Sequence, residues 1–388
     1  MRVRLVARAA IAAVALCAIT ATLWSGWATH ASRGDPRRAA RLAPFDARIA
    51  VLAAQAGDAR APALTDRALA RDVTIPAAIE LRALRAEAAG DASRGARLFA
   101  LSDAISRRSL ATRTWLIQRA VDRGDVPGAL EQFDIALRTS STAPRILFPV
   151  LAQASTDPAL AEPIARVLDR PQEWRIMFLR YAIGEGGAAS SIADVVLRMR
   201  DRRAITDAGI DQALVAALVS QEAFGQARRT DEAFHPSPGS RGAVVDPEFS
   251  PSHAAYPFGW ALTERGEAGA SRARVQGRPV LAYQALAGGS GPVAVQLLTL
   301  PAAAYRLATR TATGAADPGA APFWTLTCGQ GGGTQIALLD QPDGTGAVAA
   351  AAFVVPPDCP AQWLVLHLRA SDEGSQAGAI ARVWVDRL

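Results

Sequence analysis

The sequence of 388 residues contains no lysine, so that all 42 of its basic residues are arginine. This absence excludes a Schiff-base lysine, a lysine nucleophile and the phosphate-binding lysine of a Walker-type loop. The net charge is only +6, because 36 acidic residues are interspersed with the arginines. Since no dense basic run is present, we expect no nucleic-acid partner.

Histidine and cysteine are also scarce, with four and three residues. No histidine lies near a serine nucleophile motif or has a neighbour at metal-ligand spacing. The glycine-rich segment 329–333 precedes a strand-like run, whereas a phosphate-binding loop would precede a helix. We therefore expect no catalytic residue, no metal and no cofactor, and the sequence predicts a protein that is not an enzyme.

The one long hydrophobic run lies at the N-terminus. Arg2, Arg4 and Arg8 precede the segment 9–32, which contains no Asp, Glu or Arg. As a helix this segment would extend about 36 Å, enough to cross a hydrocarbon core of about 30 Å. It predicts a single-pass inner-membrane anchor, with residues 1–8 cytoplasmic and the bulk of the chain periplasmic. Secretion after cleavage of the segment as a signal sequence is the alternative.

Only Cys328 and Cys359 lie outside this hydrophobic run. Two cysteines in one exported domain favour a disulfide over a metal site, since neither has a second ligand at metal-binding spacing. Closing the loop between them would stabilise the fold by about 3–4 kcal/mol in the chain-entropy model.

Three Gly-Asp pairs recur in the first half of the chain, at spacings of 33 and 34 residues. They are Gly57-Asp58, Gly90-Asp91 and Gly124-Asp125. We expect each glycine to end one helix in the left-handed conformation and each aspartate to cap the next helix. After the third pair, Ala129, Phe133 and Ala136 place small, aromatic and small side chains at helical spacing.

The spacing and the small-aromatic-small pattern resemble the tetratricopeptide repeat. The resemblance implies that residues 33–234 form an all-α solenoid of stacked helix pairs, whose concave surface binds a partner protein. An ordinary helical bundle that contains three Gly-Asp turns is the alternative.

The helical pattern ends in a proline-rich stretch, from which we assign 235–245 as a linker and 246–388 as a second domain. Nine or ten short strand-like runs between Gly, Pro and Asp predict an all-β sandwich. The order of these runs, with Phe249 before a turn, Trp260 in an early run and Tyr305 after a Leu-Pro turn, resembles the jelly-roll, galactose-binding-like carbohydrate-binding modules. The resemblance implies a glycan ligand.

Alternation along two of the runs separates core residues from candidate ligand residues. The faces opposite the regular apolar ones mix indole rings with polar groups, and indoles stack against the CH faces of sugars. The candidate ligand residues on these faces are Trp363, His367, Arg382, Trp384 and Asp386. Packing of the same side chains against another sheet or against the solenoid remains the alternative.

The sequence thus predicts a multidomain chain: an N-terminal transmembrane helix, a tetratricopeptide-like all-α solenoid and an all-β jelly roll. This combination resembles cell-envelope proteins that accompany bacterial exopolysaccharide assembly. The resemblance implies a non-catalytic scaffold, in which the solenoid binds a cell-envelope protein and the jelly roll binds polysaccharide or protein. A glycan-active enzyme with a binding module and a pure protein-assembly adaptor are the alternatives.

Overall fold

The structure is a computed structural model, and it shows a helical part followed by a two-sheet β-sandwich. It describes residues 30–185, 187–200, 202–235, 244–250, 256–264, 266–314, 320–329, 333–369 and 374–388. The chain divides into two compact units, Met1–Leu147 and Phe148–Leu388. The predicted domain limits, which divide the chain elsewhere, stay a prediction.

The helical part is built from short helices whose first turns often contain proline, where its missing N–H is not needed. The helices are α1 Pro36–Leu42, α2 Ala47–Gln55, α3 Ala61–Arg71, α4 Pro76–Ala88, α5 Ala92–Ile105, α6 Leu110–Asp122, α7 Val126–Thr139, α8 Ala143–Ala154, α9 Pro158–Leu168, α10 Arg175–Ile183, α11 Ala189–Arg198, α12 Arg203–Asp207, α13 Ile210–Ser220 and α14 Phe224–Phe234.

The Gly-Asp pairs end α2, α4 and α6 in the same way. Gly57, Gly90 and Gly124 have φ values of +76°, +82° and +68°, a conformation that only glycine adopts at little cost. Behind Gly57, for example, the N–H of Asp58 donates to Ala53 O at 3.1 Å, which satisfies a carbonyl of the last helical turn. The repeated glycine is therefore explained by a repeated helix C-terminus.

The aspartates of these pairs differ in what they do. Asp91 and Asp125 cap α5 and α7 by accepting the N–H of Arg94 and Gly128, at 3.0 and 2.9 Å. Asp58 instead accepts hydrogen bonds from the backbone N–H and the guanidinium group of Arg60, the residue that directly precedes α3. The first pair therefore departs from the predicted capping arrangement.

The small-aromatic-small pattern of α7 is buried. Ala129, Phe133 and Ala136 are exposed by 7% or less, as a helix face packed against its neighbour would be. The helical character of the region is confirmed, whereas the assignment to the tetratricopeptide family stays a prediction.

Within its described residues, the second unit contains ten strands, all paired antiparallel in two five-stranded sheets. They are β1 Ala261–Leu262, β2 Ala268–Val275, β3 Arg278–Ala285, β4 Gly291–Leu298, β5 Ala303–Thr313, β6 Phe323–Cys328, β7 Gln335–Asp340, β8 Val348–Val355, β9 Gln362–Leu368 and β10 Gln376–Arg387. The first sheet has the order β1-β4-β9-β6-β7, and the second sheet has the order β2-β3-β10-β5-β8. The predicted β-sandwich is confirmed.

The hydrophobic core of this unit lies between the two sheets. Along β9, Leu364, Leu366 and Leu368 are at most 2% exposed, and the residues between them point to the opposite face. Trp324 of β6 is fully buried, and its ring centroid lies 5.7 Å from that of Trp260. Alternate outward positions on these strands are therefore available for a ligand surface.

Cys328, at the end of β6, and Cys359, just before β9, are joined by a disulfide with a Cα–Cα distance of 5.5 Å. In the register of the sheet, Cys328 pairs with Gln362, the first residue of β9. The bond therefore ties β6 to the chain that enters β9.

The predicted single-pass inner-membrane localisation is contradicted. Among the described residues, no helix is long and apolar enough to cross a membrane. The longest of these helices, α5 and α7, have 14 residues, or about 21 Å against a hydrocarbon core of about 30 Å. Residues 1–29, which include most of the predicted span, lie outside the described residues.

Candidate functional site

The five candidate ligand residues lie on two different sheets. Trp363 and His367 are on β9 of the first sheet, and Arg382, Trp384 and Asp386 are on β10 of the second. All five point away from the core, which lies between the sheets. The structure therefore separates them into two groups on opposite faces of the sandwich.

On the first sheet, four rings form a surface that we call the aromatic row: Tyr256, Trp363, Phe323 and His367. The rings of Tyr256 and Trp363 stack with centroids 6.2 Å apart, and those of Phe323 and His367 stack at 5.0 Å. Tyr256 is 56% exposed and the other three are partly exposed. Four positions separate Trp363 from His367, so the two stacked pairs lie about 13 Å apart along β9.

Strand pairing explains how the row arises. Phe323 of β6 is directly opposite His367 of β9, and Thr327 is directly opposite Trp363, so all four side chains share one face. Between the two stacked pairs, a hydrogen bond of 3.1 Å joins the hydroxyl of Thr325 to Nε2 of His367. Thr325 itself is only 6% exposed, so the hydroxyl group that the face presents beside its rings is that of Thr327.

An arginine covers one end of the row. The guanidinium carbon of Arg369 lies 4.4 Å from the centroid of Phe323, a cation–π distance. Arg369 also donates to a carboxylate oxygen of Asp340 at 2.6 Å and to Ala321 O at 2.8 Å. These contacts fix the guanidinium and add a charged hydrogen-bonding group to the end of the row.

Burial of His367 lowers the pKa of its imidazole below the ordinary value of 6.5, because desolvation disfavours the charged form. Between the folded and the unfolded pKa, the unfolded chain binds more protons than the folded chain. The free energy of unfolding is therefore expected to fall as pH decreases from about 7 through 6.5 toward the lower, folded pKa. A His367→Gln variant, which can still bond to Thr325, should lose this part of the pH dependence.

The measurement is chemical denaturation of the wild type and His367→Gln between pH 5 and pH 8. The informative quantity is the difference between the two profiles, because the two proteins differ only at residue 367. Parallel profiles would show that His367 titrates alike in the folded and unfolded chains.

On the second sheet, Trp384 is flanked by two guanidinium groups. The guanidinium carbons of Arg382 and Arg310 lie 5.1 and 5.9 Å from its ring centroid. The indole N–H donates to Asp386 at 3.0 Å, and Asp386 forms an ion pair with Arg306 at 3.8 Å. This surface is basic and is separate from the aromatic row.

Five residues of these surfaces were missed by the sequence analysis: Tyr256, Phe323, Arg369, Arg306 and Arg310. Three had a signal, because the alternation that places Trp324 in the core puts Phe323 on the outer face, and Arg306 and Arg310 alternate in the same way with buried Leu307 and Thr309. Tyr256 and Arg369 lie outside regular strands, where alternation says nothing about direction.

No family model matches the chain, and no curated protein does. Among solved structures, the sandwich is similar to carbohydrate-binding modules. One is the TmCBM61 module solved with β-1,4-galactotriose, at 17% identity and a TM-score of 0.26, covering 38% of this chain and 100% of that chain. Another is a CBM4 module, at 12% identity and a TM-score of 0.27, with 38% and 99% covered.

A third similar structure is the C-terminal family 22 module of Clostridium thermocellum Xyn10B. Its identity is 16% and its TM-score 0.26, with 38% of this chain and 97% of that chain covered. Scores of this size carry no argument about a ligand, so any function has to be argued from the residues of this chain.

Proposed function

We propose that the chain is a non-catalytic binding protein whose sandwich binds a carbohydrate chain along the aromatic row. The observation that carries the proposal is the pairing of two stacked ring pairs on one outward face, Tyr256 with Trp363 and Phe323 with His367. Sugar rings present apolar CH faces and polar edges, and they are bound by aromatic surfaces with hydrogen-bonding groups nearby.

The row has both components. Tyr256 is the most exposed ring, Trp363, Phe323 and His367 are partly exposed, and the accessible polar groups come from Thr327 and Arg369. About 13 Å between the two ring pairs gives an elongated surface along β9. Such a surface suits several successive sugars of a chain better than a single monosaccharide.

The helical part is proposed to bind a partner protein, which would make the whole chain a scaffold. The support is one exposed aliphatic side chain on the first helix of each Gly-Asp pair. Leu52 of α2, Leu84 of α4 and Val121 of α6 are 42%, 50% and 58% exposed. A role in exopolysaccharide assembly is proposed on the sequence resemblance alone.

The test of carbohydrate binding is affinity electrophoresis of the full chain in gels that contain neutral galactan, xylan or β-glucan. We expect retardation on at least one of them, and Trp363→Ala should weaken it by about tenfold or more, since an aromatic anchor commonly carries 1.4 kcal/mol or more. The matched control is Trp384→Ala, which removes an indole from the opposite sheet and should leave retardation on neutral polysaccharide unchanged.

The same experiment separates the alternatives. Equal retardation of the wild type and Trp363→Ala would place neutral-glycan binding elsewhere, and no retardation on any polysaccharide would favour the adaptor. Release of new reducing ends by the full chain would favour a glycan-active enzyme, which needs two carboxyl groups about 5–10 Å apart at the scissile bond.

A further inference from the structure

The outer face of the second sheet has small side chains beside Trp384. In the strand register, Trp384 is opposite Ala308, and Ala308 is opposite Ala350 of the edge strand β8. Ala350 is exposed, and so is Ala352, the next outward residue of β8. Beside the indole these alanines form a floor of methyl groups, in which Ala308 is only 2% exposed and the open part is the edge-strand pair Ala350 and Ala352.

Arginines stand at both ends of this floor. Arg310 is directly opposite Arg382 at one end, and Arg306 is directly opposite Asp386 at the other. Arg306 and Arg310 are four positions apart on β5, so their Cα atoms are about 13 Å apart. We call Arg306, Arg310, Arg382 and Trp384 the arginine face.

The guanidinium groups at the Arg310 end have unused hydrogen-bonding capacity. Within the described part of the chain, the contact found for Arg310 is its cation–π approach to Trp384, which uses none of its five N–H donors. Nε of Arg382 is buried without a hydrogen-bond partner among these residues, but its side chain as a whole is 42% exposed, so the outer guanidinium nitrogens are the groups a ligand would reach. Arg382 reaches Glu248 only at 3.8 Å, and both side chains are more than 40% exposed.

The ion pairs at this face are weak enough to exchange. Exposed pairs at this distance contribute little, so a ligand anion could take the place of Glu248 without a large loss. Stacking on the indole holds the guanidinium groups in place, and a fixed guanidinium fork matches two oxygens of an anionic group.

We propose that the arginine face is a second carbohydrate site, selective for an anionic sugar, with Arg310 and Arg382 binding the anionic oxygens and Trp384 contacting the sugar ring. The shared chemistry is a planar or tetrahedral oxyanion on a sugar, either a uronate carboxylate or a sulfate ester. The site is independent of the aromatic row, because it lies on the other sheet and uses none of the same residues.

The surroundings favour an anionic sugar over a nucleic acid. Asp386 lies next to Arg306, and Glu248 lies next to Arg382, so among the described residues of this face only Arg310 has no acidic neighbour in an ion pair, and the face is not a basic stripe. Nucleic acids are bound through many phosphates at once, which needs a more strongly basic surface. One guanidinium group beside an indole, that of Arg310 beside Trp384, matches one charged sugar within a polysaccharide.

The test is titration calorimetry of the full chain with oligosaccharides of galacturonate, glucuronate and mannuronate, each beside its uncharged methyl ester, and with a sulfated galactan oligosaccharide. We expect at least one anionic oligosaccharide to bind, with affinity about tenfold or more above its uncharged counterpart. Arg310→Gln should weaken this binding by about five- to tenfold, since one charge-assisted pair is lost.

The matched control is Arg278→Gln, which removes an exposed arginine at the β2–β3 turn of the same sheet and should leave binding unchanged. Binding of uronate but not sulfate, or the reverse, identifies which oxyanion the site takes. Three results would overturn the proposal. The acidic oligosaccharides and their methyl esters could bind with equal affinity, or Arg278→Gln could weaken binding as much as Arg310→Gln does. A DNA oligonucleotide could also bind as strongly as the anionic oligosaccharide. Trp363→Ala should bind the anionic oligosaccharide as the wild type does, so this site can fail or succeed separately from the aromatic row.

Discussion

Replacement of Trp324 by alanine is expected to lower the free energy of unfolding by about 3–5 kcal/mol, more than any other single change considered for this chain. The indole is fully buried between the two sheets and contacts the ring of Trp260. Its Nε1 also donates to Gln341 Oε1 at 3.3 Å, and that oxygen accepts the hydroxyl of Thr309 at 2.8 Å. The substitution leaves a cavity and removes one hydrogen bond of a buried polar network.

The measurement is the midpoint of chemical denaturation, followed by far-UV circular dichroism. Trp363→Ala is the matched control, because it removes the same side chain from the same sheet but from the outer face, where the indole is only partly buried. We expect a clearly smaller loss for the control. Equal losses for the two variants would contradict the assignment of Trp324 to the core.

The inward direction of Trp324 could be predicted from sequence because the side chains of a strand alternate between its two faces. In the run "FWTLTC", alternation predicts that Trp324, Leu326 and Cys328 share one face, and the first two are fully buried. The same reasoning failed where the large apolar residues are absent. Strand β2, with the sequence "AGASRARV", was not predicted, since alanine and glycine give little hydrophobic contrast.

The run "FGWAL" shows the opposite error. Its apolar and aromatic residues between turn residues favour a strand, but only Ala261–Leu262 is one. Phe258 and Trp260 are buried for other reasons: Arg228 lies 5.1 Å above the ring of Phe258, and the indole of Trp260 donates to Asp246 O at 3.0 Å. Apolar residues that are buried in a turn produce the same sequence pattern as apolar residues that are buried in a strand.

Sequence could not show that the five candidate ligand residues belong to two surfaces. Alternation tells which residues point outward, but it does not tell to which sheet a strand belongs. That depends on long-range order: β9 lies between β4 and β6, whereas β10 lies between β3 and β5. Trp363 and Trp384 are therefore candidates for two different ligands, which no local pattern could have indicated.

Removal of the disulfide by the double substitution Cys328→Ser and Cys359→Ser is expected to lower the free energy of unfolding by about 3–4 kcal/mol, because the open loop of 31 residues restores conformational entropy to the unfolded chain. The effect should extend to the aromatic row. Thr327, next to Cys328, is directly opposite Trp363, and Gln362 is directly opposite Cys328. Fraying at this end of β6 would therefore displace Trp363 and weaken retardation on neutral polysaccharide.

Reductant provides the control for this prediction. The wild type treated with dithiothreitol should approach the stability of the double serine variant, and the variant itself should not respond. Non-reducing mass analysis of a digest should show the peptides of Cys328 and Cys359 linked, and free thiols in the untreated protein would contradict the bond. Binding of the anionic oligosaccharide by Arg310 and Arg382 should change less, because the arginine face is on the sheet that contains neither cysteine.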